Sequence, residues 1–265
     1  MNNRPIGIFD SGIGGLTVFK EVSGMLPAED IIYLGDTARV PYGIRSAETV
    51  TRYSFECSGF LLKQDIKLLV VACNTVSAIS LNDIKKSVPI PVVGVIEPGA
   101  RAAVNFTRNK KIGVIGTEAT IGSSAYAKAI KALDADIEVA GLPCPLFVPL
   151  VEEGWTEGEI AGLIAARYLK DLKDTGVDTV VLGCTHYPLL KTVIQEAMGN
   201  VSLIDSAVET AKTVKEALNG QGAAGGRQGT RKFYVTDSPE KFVAVGGRFL
   251  QNKIEDIEKI QLEVR

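Results

Sequence analysis

Eight short stretches of this chain are apolar almost end to end, and longer segments with apolar residues at helical spacing lie between them. The short runs cover 5–9, 31–34, 67–72, 91–95, 111–115, 137–140, 179–182 and 201–204. Runs of this length without apolar–polar alternation suit strands covered on both faces, as in a parallel sheet. The intervening stretches at 47–63, 118–133, 157–172 and 206–218 read as amphipathic helices. Strand and helix in alternation is the pattern of an α/β fold with right-handed crossovers.

The chain also repeats itself. Ile6-Gly7-Ile8-Phe9-Asp10-Ser11 returns as Ile112-Gly113-Val114-Ile115-Gly116-Thr117, and Val71-Ala72-Cys73-Asn74-Thr75 returns as Leu182-Gly183-Cys184-Thr185-His186. Both pairs are displaced by nearly the same distance along the chain. A period this long implies two homologous α/β halves, since solenoid repeats are far shorter. The expected architecture is two pseudo-symmetric α/β lobes with mainly parallel sheets and a site in the cleft between them. Residues 1–97 with 208–265 are assigned to lobe one, and 98–207 to lobe two. After residue 218, the glycine- and glutamine-rich segment 219–232 reads as a loop, followed by a strand at 233–236, a helix at 238–250 and a last strand at 260–264. This tail has no counterpart in the second repeat and is expected to pack on lobe one.

Charge and composition exclude several classes of function. A net charge of −2 gives no electrostatic footprint for nucleic acid, and the pairs Lys85-Lys86 and Lys110-Lys111 read as solvated surface. No apolar run approaches the ~18 residues that span a bilayer, so no membrane partner is expected. Met1-Asn2-Asn3-Arg4-Pro5 leads directly into the first strand pattern, unlike a secretion signal, so a cytoplasmic protein is expected.

Four cysteines stand at 57, 73, 144 and 184, with no Cys-x-x-Cys pair and only one histidine, His186. That pattern suits free thiols in a reducing compartment and does not suit zinc, so no metal is expected. Cys73 and Cys184 both fall where an apolar strand ends, the place where open α/β sheets bind ligands. A thiol there is expected to feel helix dipoles and backbone amides that favour the thiolate. Two matched thiols on opposite sides of one molecule are what inversion of a carbon stereocentre requires: a base on one face and an acid on the other. The repeat alone leaves a second reading open, two buried cysteines acting as small apolar residues. His186, two residues after Cys184, can polarise or relay a proton to that thiol. Asp10 ends the first strand and can play the matching part for Cys73, or serve as a turn or helix-cap residue before Ser11-Gly12. Cys57 lies in a helical stretch and is assigned to the core, Cys144 lies between two prolines, and Trp155 is assigned to packing between the last turns of lobe two.

The glycine loop Gly12-Ile13-Gly14-Gly15 resembles a dinucleotide fingerprint but has Thr17 where a third glycine is needed. The glycines are read as permitting a tight turn and close approach of backbone to a small ligand.

On several segments the chain resembles the glutamate racemase family. These are Phe9-Asp10-Ser11-Gly12-Ile13-Gly14-Gly15, the stretch from Gly35-Asp36-Thr37 to Pro41-Tyr42-Gly43, Ala72-Cys73-Asn74-Thr75, Pro145-Leu146-Phe147 through Glu152, and Leu182-Gly183-Cys184-Thr185-His186-Tyr187-Pro188. The resemblance implies a cofactor-independent enzyme that interconverts L- and D-glutamate and supplies D-glutamate for peptidoglycan. It implies that Cys73 takes the α-proton of D-glutamate and Cys184 that of L-glutamate, with Asp10 supporting Cys73 and His186 supporting Cys184. Glu152 matches an acidic residue near the second thiol, and Cys144 matches a structural position. Asp10, Ser11, Tyr42, Gly43, Asn74, Thr75, Thr185 and His186 match positions that hold the substrate, with Thr117 and Thr120 in the same shell, and a homodimer is implied. Two other readings remain: a racemase for another acidic amino acid, aspartate above all, and a two-lobed small-molecule binder.

Overall fold

All eight apolar runs form strands in the computed structural model, which describes residues 3–218 and 228–263. They are β1 (Ile6–Asp10), β2 (Ile31–Gly35), β3 (Leu68–Val71), β4 (Val92–Gly94), β5 (Lys111–Gly116), β6 (Glu138–Pro143), β7 (Thr179–Gly183) and β8 (Ser202–Asp205). The tail adds β9 (Arg231–Val235) and β10 (Ile257–Lys259). Two sheets result, in the orders β10-β9-β2-β1-β3-β4 and β6-β5-β7-β8. Every pairing is parallel. The repeat is therefore topological as well as sequential: β2-β1-β3-β4 and β6-β5-β7-β8 are the same arrangement. In each, the chain reverses direction across the sheet between its first and third strands, which opens a crevice at their carboxyl ends.

The helices are α1 (Leu16–Met25), α2 (Ala47–Leu62), α3 (Asn74–Ile79), α4 (Leu81–Ser87), α5 (Ile96–Phe106), α6 (Glu118–Gly122), α7 (Ala125–Leu133), α8 (Phe147–Glu153), α9 (Gly158–Asp174), α10 (Lys191–Met198), α11 (Ser206–Ala217) and α12 (Pro239–Leu250). Helices α1, α5 and α11 lie between the sheets. Their buried Leu16, Val18, Ala100, Ala103, Ala207 and Ala211 belong to one continuous core that also takes in Ile8 and Val70 of the first sheet and Val114 and Val180 of the second. Small alanine side chains on α5 and α11 allow the helices to approach closely, so the lobes share a core rather than a flexible tether. The other face of the first sheet, with Phe9, Leu34 and Val71, packs on Val50, Cys57 and Leu61 of α2 and Ile84 of α4. No helix among the described residues is long and apolar enough to cross a membrane.

Several expectations are corrected. The single helix expected over 118–133 is two helices, with Ser124 in the left-handed region at φ 56°. Ser123 causes the break, because its hydroxyl donates to the Thr120 carbonyl (2.7 Å) and accepts from the Ala125 amide (3.1 Å) in competition with the helical ladder. The last strand runs Ile257–Lys259 rather than over 260–264, because its parallel register with Phe233–Val235 ends there. Of the loop expected at 219–232, residues 219–227 lie outside the described residues, and Arg231 and Lys232 already belong to β9, paired with β2. Trp155 is half exposed rather than packed, since the chain turns outward after α8, its amide donating to the Leu150 carbonyl.

Candidate active site

The carboxyl ends of equivalent strands supply the two halves of the site. Asp10 ends β1 and Cys73 follows β3; Thr117 follows β5 and Cys184 follows β7. Both thiols are buried, and a charge on Cys184 would act on Cys73.

On the Cys73 side, the thiol donates to the Ser11 hydroxyl at 3.6 Å. Burial pushes its pKa up to about 12, and the Asp10 carboxylate adds to the rise, while the Val76 amide and Ser11 oppose it. The expectation that helix and amides would favour the thiolate is overturned here. Desolvation and a like charge outweigh one amide at the start of a short helix. Asp10 is itself raised by burial, against the lowering influence of His186 and of the Gly12, Gly15 and Ser11 amides. Its Oδ2 accepts from the Gly12 amide at 3.0 Å, so it serves the turn, but Gly15 rather than Asp10 precedes α1 as its cap. Its Oδ1 is buried without a protein partner, as is Asn74 Nδ2 beside Cys73.

On the Cys184 side, the thiol lies 3.9 Å from His186 Nδ1, and His186 Nε2 lies 3.3 Å from Glu152 Oε1. Burial alone would lower the imidazole, but hydrogen bonding to Cys184 and Glu152 outweighs it and brings the pKa up to about 10. The His186 hydrogen bond in turn holds the Glu152 carboxyl below its ordinary value, against burial. Cys184, His186 and Glu152 thus form a connected chain that favours the protonated imidazole. After Cys184 comes a 3-10 turn, Tyr187–Leu190, instead of a regular helix.

The lobes meet through side chains as well as core. Thr75 Oγ1 lies 3.0 Å from Thr117 Oγ1 and 3.3 Å from Thr120 Oγ1. The Tyr126 hydroxyl donates to Asn74 Oδ1 at 2.7 Å, which leaves the Asn74 amide nitrogen as its free end. Gly43 abuts Thr117, since an added Cβ would lie 2.7 Å from the Thr117 Cβ. Tyr42 occupies the same 3-10 turn, but its hydroxyl points away and donates to Asp36 in lobe one. The Tyr42 hydroxyl is therefore already engaged within lobe one. Cys57 is buried in α2 as expected. Cys144 is fully buried, its thiol pushed up to about 12 by burial and by Cys184.

Thr17, which breaks the dinucleotide fingerprint, donates to the Thr185 carbonyl at 3.0 Å and ties α1 to the second thiol's loop. Sequence reading missed this role because the contact joins residues far apart in the chain. None of Gly12, Gly14 and Gly15 has positive φ. Gly14 and Gly15 make room for neighbouring side chains. A Cβ on Gly14 would lie 2.3 Å from Thr185 Oγ1 and 2.5 Å from the His186 ring, and one on Gly15 would lie 2.4 Å from Asp10 Cβ. Gly14→Ala is therefore expected to displace His186 and Thr185 and lower kcat/KM on the order of 100-fold, with a parental circular dichroism spectrum. Gly24→Ala, where an added Cβ meets nothing within 4 Å, is the control and is expected to retain activity. Equal activity of the two variants would show that the contact does not matter. Among the described residues, no cluster of three His, Cys, Asp or Glu side chains is arranged to hold a metal ion.

Two parallel α/β lobes that each place a thiol just after an equivalent strand define a class of protein suited to moving protons on both faces of a carbon. The chain belongs to the Asp/Glu/hydantoin racemase family, whose sequence model matches residues 9–214. It is 58% identical to a glutamate racemase of Geobacter metallireducens over 98% of this chain and 97% of the relative. Glutamate racemase from Francisella tularensis in complex with D-glutamate superimposes with a TM-score of 0.93 at 41% identity, covering 99% of each chain. A glutamate racemase isoform from Bacillus anthracis gives 0.96 at 40% identity over the whole of both chains.

Proposed function

We propose that the protein is a glutamate racemase that interconverts L- and D-glutamate by proton transfer at Cα without a cofactor, supplying D-glutamate for peptidoglycan synthesis. The observation that carries the reading is the pair of buried, unpartnered polar atoms beside Cys73. Asp10 Oδ1 is an acceptor suited to an ammonium and Asn74 Nδ2 is a donor suited to a carboxylate, the two charged groups on the Cα of an amino acid. The full-length relationship to glutamate racemases selects the side chain.

With D-glutamate, the Cys73 thiolate takes the Cα proton while the Cys184 thiol delivers its own proton to the opposite face. L-Glutamate, a Cys73 thiol and a Cys184 thiolate result, and the reverse reaction exchanges the roles. A thiol with a pKa of about 12 rests protonated, and the base it yields is a strong one, which matches a weakly acidic Cα–H. The substrate ammonium, beside Asp10 and Cys73, favours that thiolate on arrival. His186, held by Glu152, faces the Cys184 sulfur and is placed to relay its proton. Ser11, Gly43, Thr75, Thr185 and the Tyr42 backbone complete the substrate shell, with lobe one taken as 1–97 plus 208–265 and lobe two as 98–207. The same reading makes the enzyme a cytoplasmic homodimer.

The test is a chiral assay with L-glutamate and L-aspartate and no added cofactor. Racemisation of glutamate alone is expected. Turnover of aspartate alone would assign a different acidic substrate, and turnover of neither would leave a binding protein.

A further inference from the structure

The last turn of α12 reaches across to lobe two, although the helix is anchored in lobe one. Its first half is held by Phe242, whose ring centroid lies 5.9 Å from Tyr33 and 6.3 Å from Phe233. Gly246 sits so tightly against α1 that a Cβ there would lie 2.7 Å from Leu16 Cδ1. Beyond it, the buried Phe249 meets His186 edge-to-face, with centroids 5.6 Å apart and planes at 87°. Its neighbour Arg248 donates from Nη1 to the Glu152 carbonyl at 3.3 Å. Gly154, which ends α8 at φ 81°, leaves room for that guanidinium, since a Cβ there would lie 2.5 Å from Nη1.

We propose that α12 is a positioning element of the acid–base site, in which Phe249 and Arg248 fix the His186–Glu152 pair against Cys184. The imidazole then has a contact on every side: Cys184 at Nδ1, Glu152 at Nε2, the ring of Phe249 at an edge and the Cβ-free face of Gly14. Two of the four come from lobe one. The proton partner of the second thiol is therefore aimed only when the lobes and the tail are correctly assembled, because a ring with one free face can tilt away from the sulfur. Neither Phe249 nor Arg248 touches a thiol, so both act through His186 and Glu152. This rests on the reading of Cys184 as an acid–base group.

His186 is the only histidine in the chain, so imidazole NMR signals of histidine-labelled protein report on it alone. Phe249→Leu in the full chain is expected to remove the ring-current displacement of those signals and to lower kcat/KM for glutamate about tenfold. The loss is equal in both directions, since the equilibrium constant of a racemase is one. Phe249→Tyr keeps the ring and is expected to restore both readouts. Arg248→Ala, at an exposed position, is expected to move the signals less and lower kcat/KM about threefold, with Arg248→Lys restoring part of the loss. Parental signals and parental kcat/KM in Phe249→Leu would overturn the proposal. So would reduced activity with unmoved signals, which means only less folded protein. If Phe249→Leu does not fold, Arg248→Ala decides alone, and parental behaviour in both readouts overturns the proposal. Failure of the parent enzyme to racemise glutamate would instead sink the function proposed above, and the NMR arm would still read the positioning.

Discussion

Replacing Cys73 or Cys184 with alanine is expected to abolish inversion, each lowering kcat by at least about 1,000-fold, with the fold intact. The reason is geometric. Inversion needs a proton taken from one face of Cα and another delivered to the opposite face, so neither thiol can substitute for the other. Each thiol follows an equivalent strand in a different sheet. Cys57→Ala is the contrasting variant. Its thiol is packed in α2 beside Val50 and Leu61, and its loss is expected to cost about 1 kcal/mol of stability from a small cavity while leaving turnover close to parental. Cys144→Ala is likewise expected to turn over, with its nearness to Cys184 felt as a small change in rate. An inactive, folded Cys57→Ala beside an active Cys184→Ala would reverse the assignment.

In deuterated water, each enantiomer formed is expected to carry deuterium at Cα from the first turnovers, while the starting enantiomer stays almost unlabelled. The entering proton comes from a thiol that has exchanged with solvent, and the thiol that took the leaving proton faces the other side. A single swinging base would return label to substrate and product alike. Proton NMR of the Cα–H signals, with the enantiomers separated chromatographically, distinguishes the two: substrate and product gaining label at the same rate would exclude the two-thiol mechanism. Asp10→Asn and His186→Asn are expected to slow kcat in both directions but unequally, because each assists a different thiol. Since the equilibrium constant is one, KM must shift in step, and kcat/KM must fall by the same factor either way.

Much of the fold is legible along the chain because strands buried on both faces leave a continuous apolar signature, and all eight such runs became strands of a parallel sheet. Helices were less legible where they are short. Ser123 could divide the expected helix over 118–133 because a serine hydroxyl competes for backbone hydrogen bonds, a contest that apolar spacing does not register. The final strand slipped by a few residues because its bounds come from a neighbour, β9, and not from its own composition.

The sequence by itself determined that Cys73 and Cys184 hold matched positions, because a duplicated strand–thiol pattern can be read without coordinates, and it marked Asp10 and His186 as candidate neighbours. Only the tertiary structure decided what surrounds them. Tyr42 turns its hydroxyl to Asp36. Thr17 bonds the Thr185 carbonyl, Tyr126 orients Asn74, and Gly14 makes room for His186. The thiol of Cys73 is raised where a helix start was expected to lower it. The physical reason is common to all of these. Residue type and strand position are properties of a segment, whereas burial, hydrogen-bond partners and the fields of opposing charges arise between segments distant in the chain, and exist only once the two lobes have packed.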